Sequence, residues 1–216
     1  MISTIFAREA MPMIAILTGD VINSDSQNPQ RWVKLLSAAF EKLGPSPHTW
    51  EIYRGDEFQL RLDDPSKAFL TAVYIKSLLK SVGTLDLRIG IGLGQEDYKA
   101  ETVTQSNGTA YVNSGRIFDQ SQSRKTTMLI KSPFPDFDES FNLMLQLALT
   151  FMDSWTKITA ETLAYVFQNP ESSQQEIARQ LDISQPTVSQ RLNRAQYRLI
   201  LKMNAHFENR VRQQAL

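Results

Sequence analysis

What most constrains the fold of this chain is the way its apolar residues change period. From residue 13 to 131, short alternating or continuous apolar runs take turns with stretches at helical spacing; beyond residue 158 only helical spacing remains. A period of two lines one face of a strand, and recurrence at three and four residues lines one face of a helix. "MIAILTG" (13–19) reads as a buried strand. "NPQRWVKLLSAAFEKLG" (28–44) reads as a helix that starts at Asn28-Pro29 and stops at Gly44. "TWEIYRGDEFQLRL" (49–62) is a hairpin, and "DPSKAFLTAVYIKSLLKSVG" (64–83) a second helix with Pro65 near its first turn. "LDLRIGIGLG" (85–94) alternates as a strand, "GTAYVNSGRIFDQSQ" (108–122) is a short helix, and "TTMLIKS" (126–132) a last strand. The order is βαββαβαβ, and its first six elements follow the βαββαβ ferredoxin-like plan. The expected class is α+β. A ferredoxin-like domain spans 13–132, a connecting helix 133–157 and an all-α helix-turn-helix domain 158–216. Residues 1–12 read as an extension without the apolar core of a signal peptide.

Composition narrows the partners. The chain has 216 residues, 42% of them hydrophobic and 21% charged, which suits a globular protein. The absence of cysteine excludes disulfides, thiolate metal sites and cysteine nucleophiles, and fits a reducing, cytoplasmic setting. No apolar run reaches the ~18 residues of a membrane span, so no membrane partner is expected. The net charge is zero, so any polyanion contact must come from local clustering of basic residues.

"RGDEF" (54–58) is the first candidate site. Gly and Asp are favoured in tight hairpin turns, so a plain turn is one reading. In a ferredoxin-like sheet, however, the first strand lies beside the central hairpin. Asp20, after that strand, then falls near Asp56. Two like charges at close range are costly unless a cation sits between them, and a divalent ion with oxygen ligands is the natural one. This arrangement resembles, over residues 13–131, the palm domain of class III nucleotide cyclases and diguanylate cyclases. It is more closely similar to the SatD family, in "TGDVINS" (18–24), "YRGDEFQ" (53–59), "LRIGIGLG" (87–94) and "GTAYVNSGRIFD" (108–119). The resemblance implies a cyclase-type palm, with Asp20 and Asp56 as ligands for Mg²⁺ under a nucleotide. It implies ligand contacts from Arg54, Gly55, Glu57, Asn113 and Arg116. Two departures point to binding without turnover. Arg54 stands where diguanylate cyclases carry glycine, and Asn113 and Arg116 are three residues apart where the cyclase helix spaces them by four. A metal-dependent nucleotidyl cyclase or nucleotidyltransferase is the alternative.

Other local features read more simply. "GIGLG" (90–94) lacks the spacing and following helix of a phosphate loop, so crowded strand packing is expected. His48 and His206 have no ligand partners nearby in sequence, and "DFDES" (136–140) reads as a solvated helix start. "ESFNLMLQLALTFMDSWTK" (139–157) carries a wide apolar stripe through Phe141, Leu145, Ala148 and Met152. That stripe packs on its own sheet or forms a dimer seam.

The second candidate site lies in 158–203. Thr159 can cap a first helix. Ser173 and Glu176 have the spacing of a capping box for "SQQEIARQL", and "DIS" is a three-residue turn. A third helix starts at Ser184-Gln185-Pro186, with Val188, Leu192, Ala195 and Leu199 as its inner stripe. Its outer face carries Gln185, Thr187, Gln190, Arg191 and Arg194, residue types suited to base edges in a major groove. Ser189, Arg198 and Lys202 are placed for phosphates. "QQEIARQLDISQPTVSQRL" looks like the helix-turn-helix of bacterial transcription regulators and of sigma-factor region four. Double-stranded DNA is the implied partner, and a homodimer on paired half-sites is expected because one module is only weakly basic. The combined expectation is a DNA-binding transcriptional regulator with a nucleotide-cyclase-like, ligand-sensing N-terminal domain. A protein-interaction scaffold is the third possibility.

Overall fold

The computed structural model describes residues 12–214, so the expected extension lies outside them except for Pro12. Five strands form one mixed sheet: β1 (Ile14–Ile22), β2 (Trp50–Tyr53), β3 (Glu57–Leu62), β4 (Asp86–Gly94) and β5 (Met128–Lys131). Their order is β2-β3-β1-β4-β5. β1 is antiparallel to both β3 and β4, and β5 joins β4 in parallel. The period of two decides the layers. Ala15, Leu17 and Val21 share one face with Phe58, Leu60, Leu87 and Ile89, and that face packs on α1 (Pro29–Phe40) and α2 (Ala68–Val82). Ile14 and Ile16 point the other way, onto Ala110 and Tyr111 of α3 (Thr109–Ser123).

β1 runs past its expected end. The apolar run stops at Gly19, but β4 is nine residues long and supplies partners as far as Asp86. Asp20 therefore lies inside a central strand, opposite Arg88 on one side and Glu57 on the other. The glycines of "GIGLG" let α3 press its backbone onto β4. A Cβ at Gly92 would sit 2.3 Å from Ala110 O and Ser114 N, and one at Gly90 2.6 Å from Phe118 N.

α4 (Pro135–Met152) packs on β5 and buries Phe137, Phe141, Leu145, Ala148 and Met152. Its start is only partly solvated. Asp138 is buried and accepts from Lys131 Nζ at 2.7 Å and Ser132 Oγ at 2.6 Å. Asn142 of α4 closes the outer edge of β5, accepting from Ile130 N and donating to Ile130 O, both at 2.9 Å.

Four helices follow: α5 (Lys157–Gln168), α6 (Gln174–Gln180), α7 (Gln185–Arg194) and α8 (Tyr197–Gln214). Thr156, not Thr159, caps α5, because the helix begins three residues earlier than expected and Thr159 is buried within it. The capping box of α6 is formed, with Ser173 N to Glu176 Oε2 at 2.7 Å and Glu176 N to Ser173 Oγ at 3.3 Å. Ser184 caps α7. The expected third helix is in fact two. Gln196 takes a left-handed conformation (φ 56°) that ends α7 and redirects the chain. The inner stripe then resumes at Ile200, while Leu199 is 45% exposed.

These helices are not a separate ball on a string. α5 lies along α2, and α8 returns Phe207 against Phe69 of α2 and Phe137 and Phe141 of α4, at centroid distances of 5.0 to 6.0 Å. Each such fully buried aromatic contributes roughly 1.5–3 kcal/mol. One apolar cluster therefore runs from β1 to Val211.

Candidate functional site

The outer face of α7 is set by its ends. Ser184 and Pro186 start the helix, Gln196 stops it, and Val188 and Leu192 anchor its inner face. Gln185, Pro186, Ser189, Gln190, Asn193 and Arg194 then line one shallow surface of about 620 Å³. Gln185 is steadied by donating its Nε2 to Gln174 Oε1 of α6 at 2.6 Å. Asn193 was not singled out from sequence, yet it continues Gln185 and Ser189 at steps of four residues and so shares their face.

The remaining expected residues divide. Thr187 is half-buried, with its hydroxyl 2.8 Å from Ser184 Oγ in the cap. Arg191 lies on the flank and donates to Thr162 Oγ1 of α5 at 3.3 Å. Arg198 belongs to α8 but shares a groove of about 400 Å³ with Ser189 and Asn193. Lys202 is exposed on α8, outside that groove.

The hairpin site is built by register. Arg54, Gly55 and Asp56 connect β2 to β3, and Arg54 itself adopts φ 50° while Gly55 adopts 90°. A left-handed conformation costs an L-residue roughly 1–2 kcal/mol, so arginine is held where glycine would sit without strain. Arg54 Nη1 lies 3.8 Å from Glu57 Oε2. Val21 N donates to Asp56 O at 3.2 Å, which pins the turn to β1. Ser24 Oγ donates to Asp56 Oδ2 at 2.8 Å. Arg88 Nη1 lies 3.3 Å from Asp20 Oδ2, while Asp20 Oδ1 is buried without a hydrogen-bond partner.

Burial raises the carboxyl pKa of Asp20 above the usual range. Arg88 opposes the shift, and the charges of Asp56 and Glu57 add to it. Among the described residues, no three acidic or histidine side chains form a metal-ligand group. An orphaned buried carboxylate oxygen that feels the charge of a second carboxylate fits Mg²⁺, which keeps several waters and takes only one or two carboxylates. Asn113 and Arg116 do not join this cluster. Asn113 donates to Leu93 O at 2.8 Å, and Arg116 is exposed. Arg88 and Ser24 were missed as members. The signal for Arg88 was its place as the one cation on the glycine face of "LRIGIGLG".

A second polar cluster on the same side of the sheet is structural. Arg61 holds Glu96 through Nε–Oε1 and Nη2–Oε2 bonds of 2.8 Å each, and Tyr111 donates to Glu96 Oε1 at 2.6 Å. Burial pushes Glu96 up, but the bonds from Arg61 and Tyr111 outweigh it and keep its carboxyl below the usual range.

No described helix is long and apolar enough to cross a membrane. Compared with curated proteins, the chain shows no match. Residues 157–196, from α5 to the end of α7, match the family model described as winged helix-turn-helix DNA-binding. The described chain continues from there into α8, without a strand after α7. The C-terminal region of this α+β protein thus carries a helix-turn-helix of DNA-binding type.

Proposed function

We propose that the chain is a DNA-binding transcription regulator whose N-terminal part senses a ligand. The observation that carries the reading is the outer face of α7, where Gln185, Gln190, Asn193 and Arg194 stand exposed beside the half-buried Ser189 on a capped helix inside a helix-turn-helix match. Gln, Asn and Arg can each form two hydrogen bonds to one base edge, which suits major-groove reading. Arg198 and Lys202 supply phosphate contacts from α8. Arg191 serves first as a strut between α7 and α5. Two copies read paired half-sites, because one helix of this size offers few base contacts.

The N-terminal part is a ferredoxin-like palm of the cyclase type, as the position of β1 between antiparallel β3 and β4 supports. Its similarity to the SatD family rests on the four sequence blocks. Asp20 and Asp56 would hold Mg²⁺, which supplies positive charge against the phosphates of a nucleotide. Arg54, at the tip of the turn, is positioned to meet an anionic group, beside Gly55 and Glu57. The placement of Asn113 and Arg116 away from the hairpin favours binding over turnover.

The test is a salt titration of the full chain on selected genomic duplexes. Arg194→Ala should cost ~1–3 kcal/mol on the preferred site and relax one base position. Lys202→Ala should weaken all duplexes alike and reduce the salt slope by about one. Equal affinity of the wild type for every duplex would remove the reading. A thermal-shift series of nucleotides with and without Mg²⁺ tests the palm, since specific binding raises stability by mass action.

A further inference from the structure

We propose that the solvent face of α4 is the seam of a homodimer. Leu143 and Leu147 stand one turn apart on this face and are 59% and 63% exposed. The exposed positions from Ser140 to Thr150 are Ser140, Leu143, Gln146, Leu147 and Thr150, with no charge among them. In a chain that is 21% charged, two turns of exposed helix without an ion are what the centre of an interface needs. Beside the leucines lies a groove of about 450 Å³, walled by Leu129 of β5, Thr126, Asn142 and Leu143. Knob and groove sit on one patch, as a two-fold interface requires: Leu147 of each copy enters the groove of the other. The rim carries one charge of each sign, Arg124 and Glu139, so the two-fold mate sets opposite charges together. Joining of β5 edges is closed to such a pair, because Asn142 already occupies the backbone of Ile130.

A second copy is the occupant because the DNA face needs one. Beyond Ile158 the chain has seven Lys or Arg against five Asp or Glu, a surplus of two, and it presents a single reading helix. The need for a partner therefore rests on the DNA reading proposed above, whereas the geometry of the seam does not. An 18-residue helix is about 27 Å long. One such face with its groove is at the small end of specific interfaces, so the free dimer is weak and paired half-sites on DNA complete it.

Sedimentation of the full chain from roughly 1 to 100 μM, the range in which small interfaces dissociate, tests the seam without DNA. Wild type should show a reversible monomer–dimer equilibrium. Leu143→Glu and Leu147→Glu should sediment as monomers at every concentration, with unchanged melting curves because both side chains are exposed. Tyr98→Glu, an equally exposed position away from α4, should dimerise like wild type. A wild type that stays monomeric throughout, or a dimer that persists in both leucine variants, overturns the proposal. On DNA, Leu147→Glu should lose at least tenfold in affinity for paired half-sites and keep its affinity for one. If the variant is monomeric yet binds paired sites like wild type, the seam stands and the paired-half-site reading falls.

Discussion

Lys76 is the residue whose replacement should cost the most for the least change in shape. Its side chain is fully buried. Its Nζ lies 2.6 Å from Asp86 Oδ1, 2.7 Å from Asp153 Oδ1 and 3.4 Å from Thr127 Oγ1. Asp86 opens β4, Asp153 ends α4, and Lys76 is on α2, so one ammonium joins three elements at the entry to α5. Lys76→Met keeps the stem and removes the charge. Breaking a buried pair costs ~3–5 kcal/mol when the partner is left uncompensated. Here the partners are partly cared for. Asp86 keeps Lys80 Nζ at 2.9 Å and the Leu87 amide at 2.7 Å, and Asp153 is 41% exposed and can rehydrate. The loss should therefore fall at the low end, about 3 kcal/mol. For a chain of this size that lowers the midpoint of thermal unfolding by roughly 6–12 °C. Urea unfolding followed by far-UV circular dichroism measures it, with Tyr98→Ala as an exposed control away from α4. A variant as stable as wild type would refute the reasoning, because it would mean that desolvating the ammonium costs as much as its three contacts return.

Other outcomes follow from single contacts. Arg54→Gly should raise stability by up to about 1 kcal/mol, since relief of a left-handed arginine outweighs the extra entropy that glycine gives the unfolded chain; a lower unfolding midpoint would count against strain at the turn. Gly92→Ala should cost about 3 kcal/mol or more, because a Cβ 2.3 Å from backbone atoms of α3 forces the helix off the sheet; urea denaturation measures it. Glu96→Ala should cost roughly 1–3 kcal/mol, because the partly buried Arg61 guanidinium loses a two-bond partner and keeps only Asp63. For Asp20 the folded carboxyl binds its proton more tightly than the unfolded one. Its contribution is present at acid pH and is lost as pH rises through the raised folded pKa. Asp20→Asn should flatten that part of the stability–pH curve, and equal slopes in both proteins would contradict it.

The faces of the elements were legible in the sequence, and the places where faces meet were less so. Period two sorted Phe58, Leu60 and Leu62 onto one side of β3, and the start signals at Asn28, Ser173 and Ser184 each became a side-chain cap. The break between α7 and α8 was hidden for a physical reason. Leu192, Ala195 and Leu199 continue at helical spacing straight across it, and glutamine is not a residue that announces a left-handed turn. Only the resumed stripe of Ile200, Met203, Phe207 and Val211, displaced by one position from Leu199, reveals that the helix has started afresh.

The site shows the same division. Residue types on α7 could be read from spacing alone, because a helix face is a local property, and Asn193 was within reach of the same arithmetic. The partners of Asp20 depend on strand register, which is not local: Arg88 faces it only because β1 and β4 pair as far as Ile22 and Asp86. Lys76 and Lys80 were not singled out from the sequence. Their surroundings held the clue. Ile75, Leu78 and Leu79 flank them on an α2 that is buried nearly all round, because the sheet covers one side and α5 the other. A helix with no wet face cannot keep lysines in water, so each must find a carboxylate, and the acids that answer come from β4 and the end of α4. It is the apolar residues on every side of α2, not its charges, that call for a second packing partner besides the sheet. That partner is α5, the first helix of the helix-turn-helix region.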